Sequence, residues 1–313
     1  MTLPTLIQES LDAQFQANGA RSLFFRGAVR ATPRLKTLLT QQHAEVARFL
    51  DGLDAAAGQA LCARLADESL TRFMRINQYL DFRVRDREAL EACYAELLEA
   101  IAHPLAPDEV EALMAAHYSR LRAFLVRTNG EDAFSPYRQS PELPVIPCAQ
   151  YRAELQLDLL GLTLETLREP VLDLGCGPSA SLVTYLRARG VEAFGLDRLG
   201  GSAPHLLRGN WLDVAFAPRA WGTIVSHMAF SNHFWHHQLR GDGAMEAYLG
   251  KFREILAALQ DGGRFVYAPG LPEAEDALVA SGICTLRRIP LARTGRGGRV
   301  DLRFYAAQLT PRS

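Results

Sequence analysis

The chain has 313 residues, 48% of them hydrophobic and 22% charged, enough to bury one large or two ordinary cores and too apolar for a disordered protein. Its 34 basic and 35 acidic side chains leave a formal charge of −1. That balance provides no general basic field for nucleic acid or an anionic membrane, so a small-molecule partner is expected, with no nucleic-acid and no membrane partner.

Cys62, Cys93, Cys148, Cys176 and Cys284 are odd in number, scattered and never spaced Cys-x-x-Cys, which argues against a disulfide framework or a structural zinc site. The first twenty residues lack a basic start and a long apolar run, and no window approaches eighteen uninterrupted apolar residues. A cytoplasmic location is the expectation.

Residues 1–128 have apolar side chains at three- and four-residue intervals, as in "EALEACYAELLEAIA" (88–102) and "DEVEALMAAHYSRLRAFLV" (108–126), and predict an all-helical domain expected to act as a cap. Residues 129–147 are dense in Pro, Gly, Asn and Ser and predict a linker or lid. From 148 to 313 short β-branched runs alternate with helical ones, the pattern of an α/β parallel sheet. A helix is predicted over 148–160 and strands near 171–174, 192–196, 205–208, 222–226, 263–268, 283–289 and 300–308. The last two face each other across "RTGRGG" (293–298), too short for a parallel crossover, so an antiparallel hairpin should close the sheet.

The strongest motif is "VLDLGCGPSASLVTYLRARGVEAFGLDR" (171–198), a buried strand running into Gly175-Cys176-Gly177 and then a helix. Glycines there let the backbone turn tightly and approach a ligand, and Asp197 at the end of the next strand suits the vicinal hydroxyls of a ribose. Gly175-x-Gly177-x-x-Ala180 also satisfies a dinucleotide fingerprint. Against it stand Asp173, a carboxylate unwelcome to pyrophosphate but welcome to an ammonium or sulfonium, the closing hairpin, and the lack of a second mononucleotide-binding half.

"VLDLGCGPSASL", Asp197, "RGNWLDVAF", "WGTIVSHMAF" and "LQDGGRFVYAP" together resemble the successive motifs of the class I S-adenosylmethionine-dependent methyltransferases, over roughly residues 148–310. The resemblance implies a Rossmann-like sheet and S-adenosylmethionine as cofactor, and says little about the acceptor, which is expected to be a small metabolite of secondary metabolism. It implies that Asp173 and the Gly175–Cys176–Gly177 backbone lie near the methionine moiety, that Asp197 with its neighbour Arg198 holds the ribose, and that Asn210, Trp211 and Leu212 flank the adenine. Asn210 stands where the family's third motif usually has an acid, which here is either replaced or displaced to Asp213. Tyr151 is a candidate for the cofactor's amino-acid end, and Asn129, Tyr137 and Arg138 for substrate or lid contacts.

In an open parallel sheet the ligand lies beyond the carboxyl ends of the strands, so the loop in "SHMAFSNHFWHH" (226–237) should face the reactive end. Ser226, His227, Asn232 and His233 are the candidate catalytic residues, with Phe230 offering a ring to a cation. His233 shares a helix face with His236 at i+3 or with His237 at i+4, but no Cys or nearby acid with matching spacing completes a ligand set, and no metal is expected. The loop lacks the Asn-Pro-Pro-Tyr type of tetrapeptide that grips a planar amide or base. The segment and "YAPGLP" also resemble a small bacterial group that includes azetidine-2-carboxylate synthases. That resemblance implies an alternative, cyclisation of S-adenosylmethionine to azetidine-2-carboxylic acid and methylthioadenosine. A non-catalytic cofactor sensor is the third reading.

Overall fold

The computed structural model describes residues 3–103, 105–143, 151–241, 243–290 and 305–312. The chain divides into two compact units, Met1–Cys148 and Ala149–Ser313. The "RTGRGG" segment and the first residues of the helix expected at 148 lie outside the described residues.

The first unit is helical: α1 (Leu3–Asn18), α2 (Pro33–Gln41), α3 (His43–Asp51), α4 (Ala55–Ile76), α5 (Val84–Ile101) and α6 (Pro107–Asn129). Local signals set several of its ends. Thr32 caps α2 by accepting from Leu35 N–H at 3.3 Å, and Asp54 caps α4 by accepting from Ala57 N–H at 2.7 Å. The apolar stripes converge on one core that includes Leu39, Leu65, Leu90, Val110 and Phe124.

The stretch expected as a linker is part of this unit up to Leu143. Phe134 lies in the core and stacks on Phe24 with ring centroids 4.4 Å apart, and Ser22 Oγ donates to the Tyr137 carbonyl at 2.5 Å. The Leu143 N–H donates to the Ala20 carbonyl at 3.1 Å. Turn-rich composition reported local geometry there, while two aromatic side chains supplied the burial that ties the segment down.

The second unit holds a seven-stranded sheet in the order β3-β2-β1-β4-β5-β7-β6. Its strands are β1 (Val171–Leu174), β2 (Ala193–Asp197), β3 (Leu206–Arg208), β4 (Trp221–His227), β5 (Leu259–Ala268), β6 (Cys284–Pro290) and β7 (Tyr305–Pro311). The first five run parallel, β7 is antiparallel to β5, and β6 pairs antiparallel with β7, Leu286 facing Leu309. Helices α7 (Ala153–Leu160), α8 (Ser181–Arg187), α9 (Phe230–Arg240), α10 (Met245–Ala257) and α11 (Pro272–Ala280) complete it.

Alternation along the strands makes two cores, one per face. Leu172, Leu174, Ile224, Phe265 and Tyr267 pack with α9, α10 and α11. Val171, Val225, Val266 and Ala268 pack with α7 and α8. Asp173 has the parity of Val171 and is paired with Gly195 on one side and Val225 on the other, so a carboxylate occupies an apolar layer. Among the described residues no helix is long and apolar enough to cross a membrane.

Candidate functional site

The site is built where β1, β2 and β4 end. After β1 the backbone enters the left-handed region at Gly175 (φ 83°), Gly177 (φ 69°) and Ala180 (φ 43°). The two glycines serve different ends. A Cβ on Gly175 would lie 2.3 Å from Ala229 Cβ and 3.0 Å from Trp211 Cζ3, so this glycine lets the loops after β1, β3 and β4 close together. A Cβ on Gly177 would meet nothing within 4 Å, leaving that stretch of backbone open to a ligand. Cys176 fills the notch above Gly195, its Sγ 2.7 Å from where a Cβ would stand, and is packing rather than a reactive thiol.

Asp197 orders this loop. Its carboxylate accepts from the Gly177 N–H at 3.0 Å and from the Leu199 N–H at 2.7 Å. Two backbone donors leave a carboxylate about two more acceptor positions, the number that a pair of vicinal hydroxyls requires. Asp173 is 3% exposed, and burial pushes its carboxyl up to about 7, with the charge of Asp197 adding to the rise. A buried carboxyl raised by burial and by the charge of a neighbouring carboxylate makes a place where a cation is favoured.

On the β3 side Asn210 shapes a tight turn, its Oδ1 accepting from the Leu212 N–H at 3.0 Å. That turn is anchored from behind by buried Lys251, whose Nζ donates to the Val214 carbonyl at 2.8 Å, and by Glu254, which accepts from the Phe216 N–H at 2.7 Å. Trp211 is buried with its Nε1 unpartnered, and His233 meets it edge-on at 5.1 Å. Arg198 lies close enough to His233 for its charge to act on the imidazole; burial first, then Arg198, holds that ring well below the ordinary histidine range.

At the end of β4, His227 is half-buried, and Tyr151 stands edge-to-face to it at 4.8 Å. Its Nδ1 has no hydrogen-bond partner, and burial pushes the imidazole down to about 4, so the ring is neutral at pH 7. Met228 follows with φ 57°. Tyr151 is itself fixed to the starts of α8 and α7, since its carbonyl accepts from Ser181 Oγ at 2.8 Å and from Gln156 Nε2 at 3.0 Å.

The structure thus brings together Tyr151, Asp173, Gly177, Asp197, Asn210, Trp211 and His227 around the ends of neighbouring strands. It reassigns others. Ser226 is fully buried and has committed its hydroxyl, which donates to the Leu174 carbonyl at 2.7 Å and accepts from the Phe230 N–H at 3.0 Å; it ties β4 to β1 and to the start of α9. Phe230, expected to face a substrate, is 0% exposed and packs against Phe252 at 5.0 Å and Phe265 at 5.8 Å, because α9 turns that side of its first turn into the sheet. His233 is buried behind Trp211, and Asn232 stays half-buried on α9. His236 contacts Arg240 and His237 packs on Tyr248, and among the described residues no three His, Cys, Asp or Glu side chains gather as a metal-ligand set.

The residues proposed from the linker serve the helical unit itself. Asn129 accepts from the Asp81 N–H at 2.8 Å and donates to the Asp81 carbonyl at 3.2 Å. Tyr137 is 4% exposed, and Arg138 pairs with Glu131 over the ring of Phe24.

One constellation had no sequence signal. Glu275, 0% exposed on α11, accepts from Tyr267 Oη at 2.9 Å, Leu271 N–H at 2.6 Å, Tyr305 Oη at 2.5 Å and Arg288 Nε at 3.1 Å. The acids of "PEAED" read as an ordinary helix start, and the partners come from β5, β6 and β7. The network fixes the turn after β5, whose Ala268 carbonyl accepts from the Met228 N–H at 2.7 Å.

No protein-family model and no curated protein sequence matches this chain. Similar solved structures include the methyltransferase CcbJ of Streptomyces caelestis, 14% identical with a TM-score of 0.35 over 51% of this chain and 89% of that one. A TehB-like SAM-dependent methyltransferase of Corynebacterium glutamicum is 19% identical, with a TM-score of 0.32 over 45% of this chain and 79% of that one. The 1,6-didemethyltoxoflavin-N1-methyltransferase of Burkholderia thailandensis is 15% identical, with a TM-score of 0.33 over 51% and 76%. The strand order β3-β2-β1-β4-β5-β7-β6, with β7 alone reversed between β5 and β6, makes the second unit a class I methyltransferase fold.

Proposed function

We propose that the sheet unit binds S-adenosylmethionine over the ends of β1, β2 and β4 and uses it in a reaction on a small molecule. The observation that carries this reading is the pairing of Asp197 with Gly177: a carboxylate at the end of β2 holds a positive-φ glycine whose Cβ direction is open. Asp173 and Asp197 suit a cationic ligand, and Asn210, Trp211 and Leu212 border the place for its base. The residues fit the cofactor, and they fit a pyrophosphate poorly because both acids stand beside the glycine loop.

When bound, S-adenosylmethionine supplies a carbon on a cationic sulfur, open to attack by a neutral nucleophile. The chain's own task is alignment. Tyr151 and His227 border the reacting end, and Ser226 holds the end of β4 in place against β1. His227, kept neutral by burial with its pKa held at about 4, serves as a neutral ring that orients the reacting end and not as the base that deprotonates an ammonium. An amine that arrives neutral is the nucleophile that this arrangement serves best, because alignment behind the carbon is then all that the attack requires.

The same observation supports a second reading, in which the amine is the cofactor's own and the products are azetidine-2-carboxylic acid and methylthioadenosine. Incubation of the full chain with S-adenosylmethionine, followed by identification of the nucleoside, separates the cases. S-adenosylhomocysteine formed only with added small amines supports methyl transfer, methylthioadenosine from the cofactor alone supports cyclisation, and binding without turnover supports a sensor. Absence of calorimetric binding overturns the proposal.

A further inference from the structure

The helical unit carries a groove of about 620 Å³ between the end of α3 and the exposed faces of α4 and α5. On α4 it is lined by Ala55, Gly58, Gln59 and Cys62, at spacings of i, i+3, i+4 and i+7. On α5 and its C-cap the floor is Ala92, Ala95, Leu98 and Ala102, at i, i+3, i+6 and i+10, one face of the helix. From Glu88 to Ala102 the stripe runs about 21 Å at the rise of an α-helix. The side chains are small: Ala92 and Ala95 are exposed, and a Cβ on Gly58 would touch nothing within 4 Å. A glycine inside a helix costs about 1 kcal/mol against alanine, and no contact within the unit calls for one at that position.

The rim has one sign of charge. Asp51, Asp54, Glu88, Glu91 and Glu99 line the groove, and no Lys or Arg does. Asp54 is engaged as the cap of α4, and Glu91 pairs with Arg87 beside the groove. An apolar, small-residue trough with acidic edges on a chain of nearly zero net charge is complementary to a helix with one apolar stripe and basic flanks. Small floor residues let such a helix approach closely, and the length of the stripe matches about four turns.

We propose that the α4–α5 groove is a docking surface for a basic amphipathic helix of a partner protein. The inference is independent of the reaction assigned to the sheet unit. The probe is a fluorescein-labelled peptide of about 15 residues, with Leu at i, i+3, i+4 and i+7 and Lys elsewhere. A second peptide carries Glu in place of Lys, and binding of both to the full chain is read by fluorescence anisotropy at low and high salt. The Lys peptide should bind, the Glu peptide should not, and salt should weaken the complex.

Ala95→Trp fills the trough while keeping every rim charge, and should weaken the Lys peptide by about tenfold or more. Glu88→Gln with Glu99→Gln should weaken it by about threefold to tenfold and flatten the salt dependence. Both changes are at exposed positions, so thermal midpoints should match the parent; Ala92→Arg is a second blocking variant should Ala95→Trp fold poorly. Unchanged binding by the blocked variants, equal binding of both peptides, or a concentration-dependent dimer that Ala95→Trp abolishes would each overturn the proposal, the last by making a second copy of the chain the occupant.

Discussion

Asp173 and Glu275 are both buried carboxylates of the same α/β unit, and their surroundings are opposite. Glu275 is met by four donors from β5, β6, β7 and its own helix start. Asp173 sits in the apolar layer between Gly195 and Val225, and the charge acting on it is another carboxylate. A buried charge whose acceptor positions are filled holds a structure together, whereas one left under strain from a like charge is poised for a ligand that brings the missing cation. The β5–β7–β6 side is therefore the finished part of the sheet, and the ends of β1, β2 and β4 are the part that the proposed function assigns to a ligand.

The largest effect that could break this comparison is at the finished edge. Glu275→Ala leaves two buried phenols and the Leu271 N–H without their acceptor, while Arg288 keeps Asp276, and should cost about 2–4 kcal/mol in urea unfolding, with Glu275→Gln recovering part of it. A cost below about 1 kcal/mol would mean that the network is decoration. Asp197→Ala comes next. It should raise the dissociation constant for S-adenosylmethionine about a hundredfold by calorimetry, the worth of two hydrogen bonds to a charged acceptor together with a loosened Gly177 turn.

Asp173→Asn sharpens the contrast, because stability and binding should move in opposite directions. The Asp173 carboxyl is raised from 3.8 to about 7, so its contribution to stability is complete below the unfolded value and is lost as pH rises through about 7. The ligand-free parent should lose stability between pH 4 and 8, and Asp173→Asn should remove that part of the slope and raise the thermal midpoint at pH 8. Affinity for the cationic cofactor should rise in the parent as pH passes 7, and should fall about tenfold and lose its pH dependence in the variant. The smallest change expected is Ser226→Ala, which breaks the ties to Leu174 and Phe230 and should cost about 1 kcal/mol in unfolding while leaving cofactor affinity within about twofold. A large loss of affinity there would return Ser226 to the ligand-contacting set.

Much of the sheet was legible in advance because buried parallel strands leave a direct trace: short β-branched runs separated by crossovers, with Val171–Leu174 as the plainest. The glycine loop was legible because its positive φ values restrict residue choice, and Asp197 because it ends a strand at a fixed distance from that loop. Side chains on the histidine-rich helix were harder. Phe230 and His233 carry chemistry in their residue type, but the rotation of α9 against the sheet turned both inward, while Ser226 is buried as part of β4; a twelve-residue stretch does not encode that packing. The segment after α6 misled in the same way, since turn composition says nothing of Phe134 and Tyr137 finding a core to enter.

The amino-acid sequence by itself determined what depends on local backbone preference and period: a helical first unit, a parallel sheet closed by an antiparallel pair, and a glycine turn followed by an acid. Only the tertiary structure decided which polar groups are satisfied. The partners of Glu275 lie up to 30 residues away and those of Ser226 up to 52, whereas His227 Nδ1 and Trp211 Nε1 have no partner and Asp173 bears the cost of its burial. Hydrogen-bond satisfaction is a property of groups that meet in space, and that separates the scaffold of this sheet from its site.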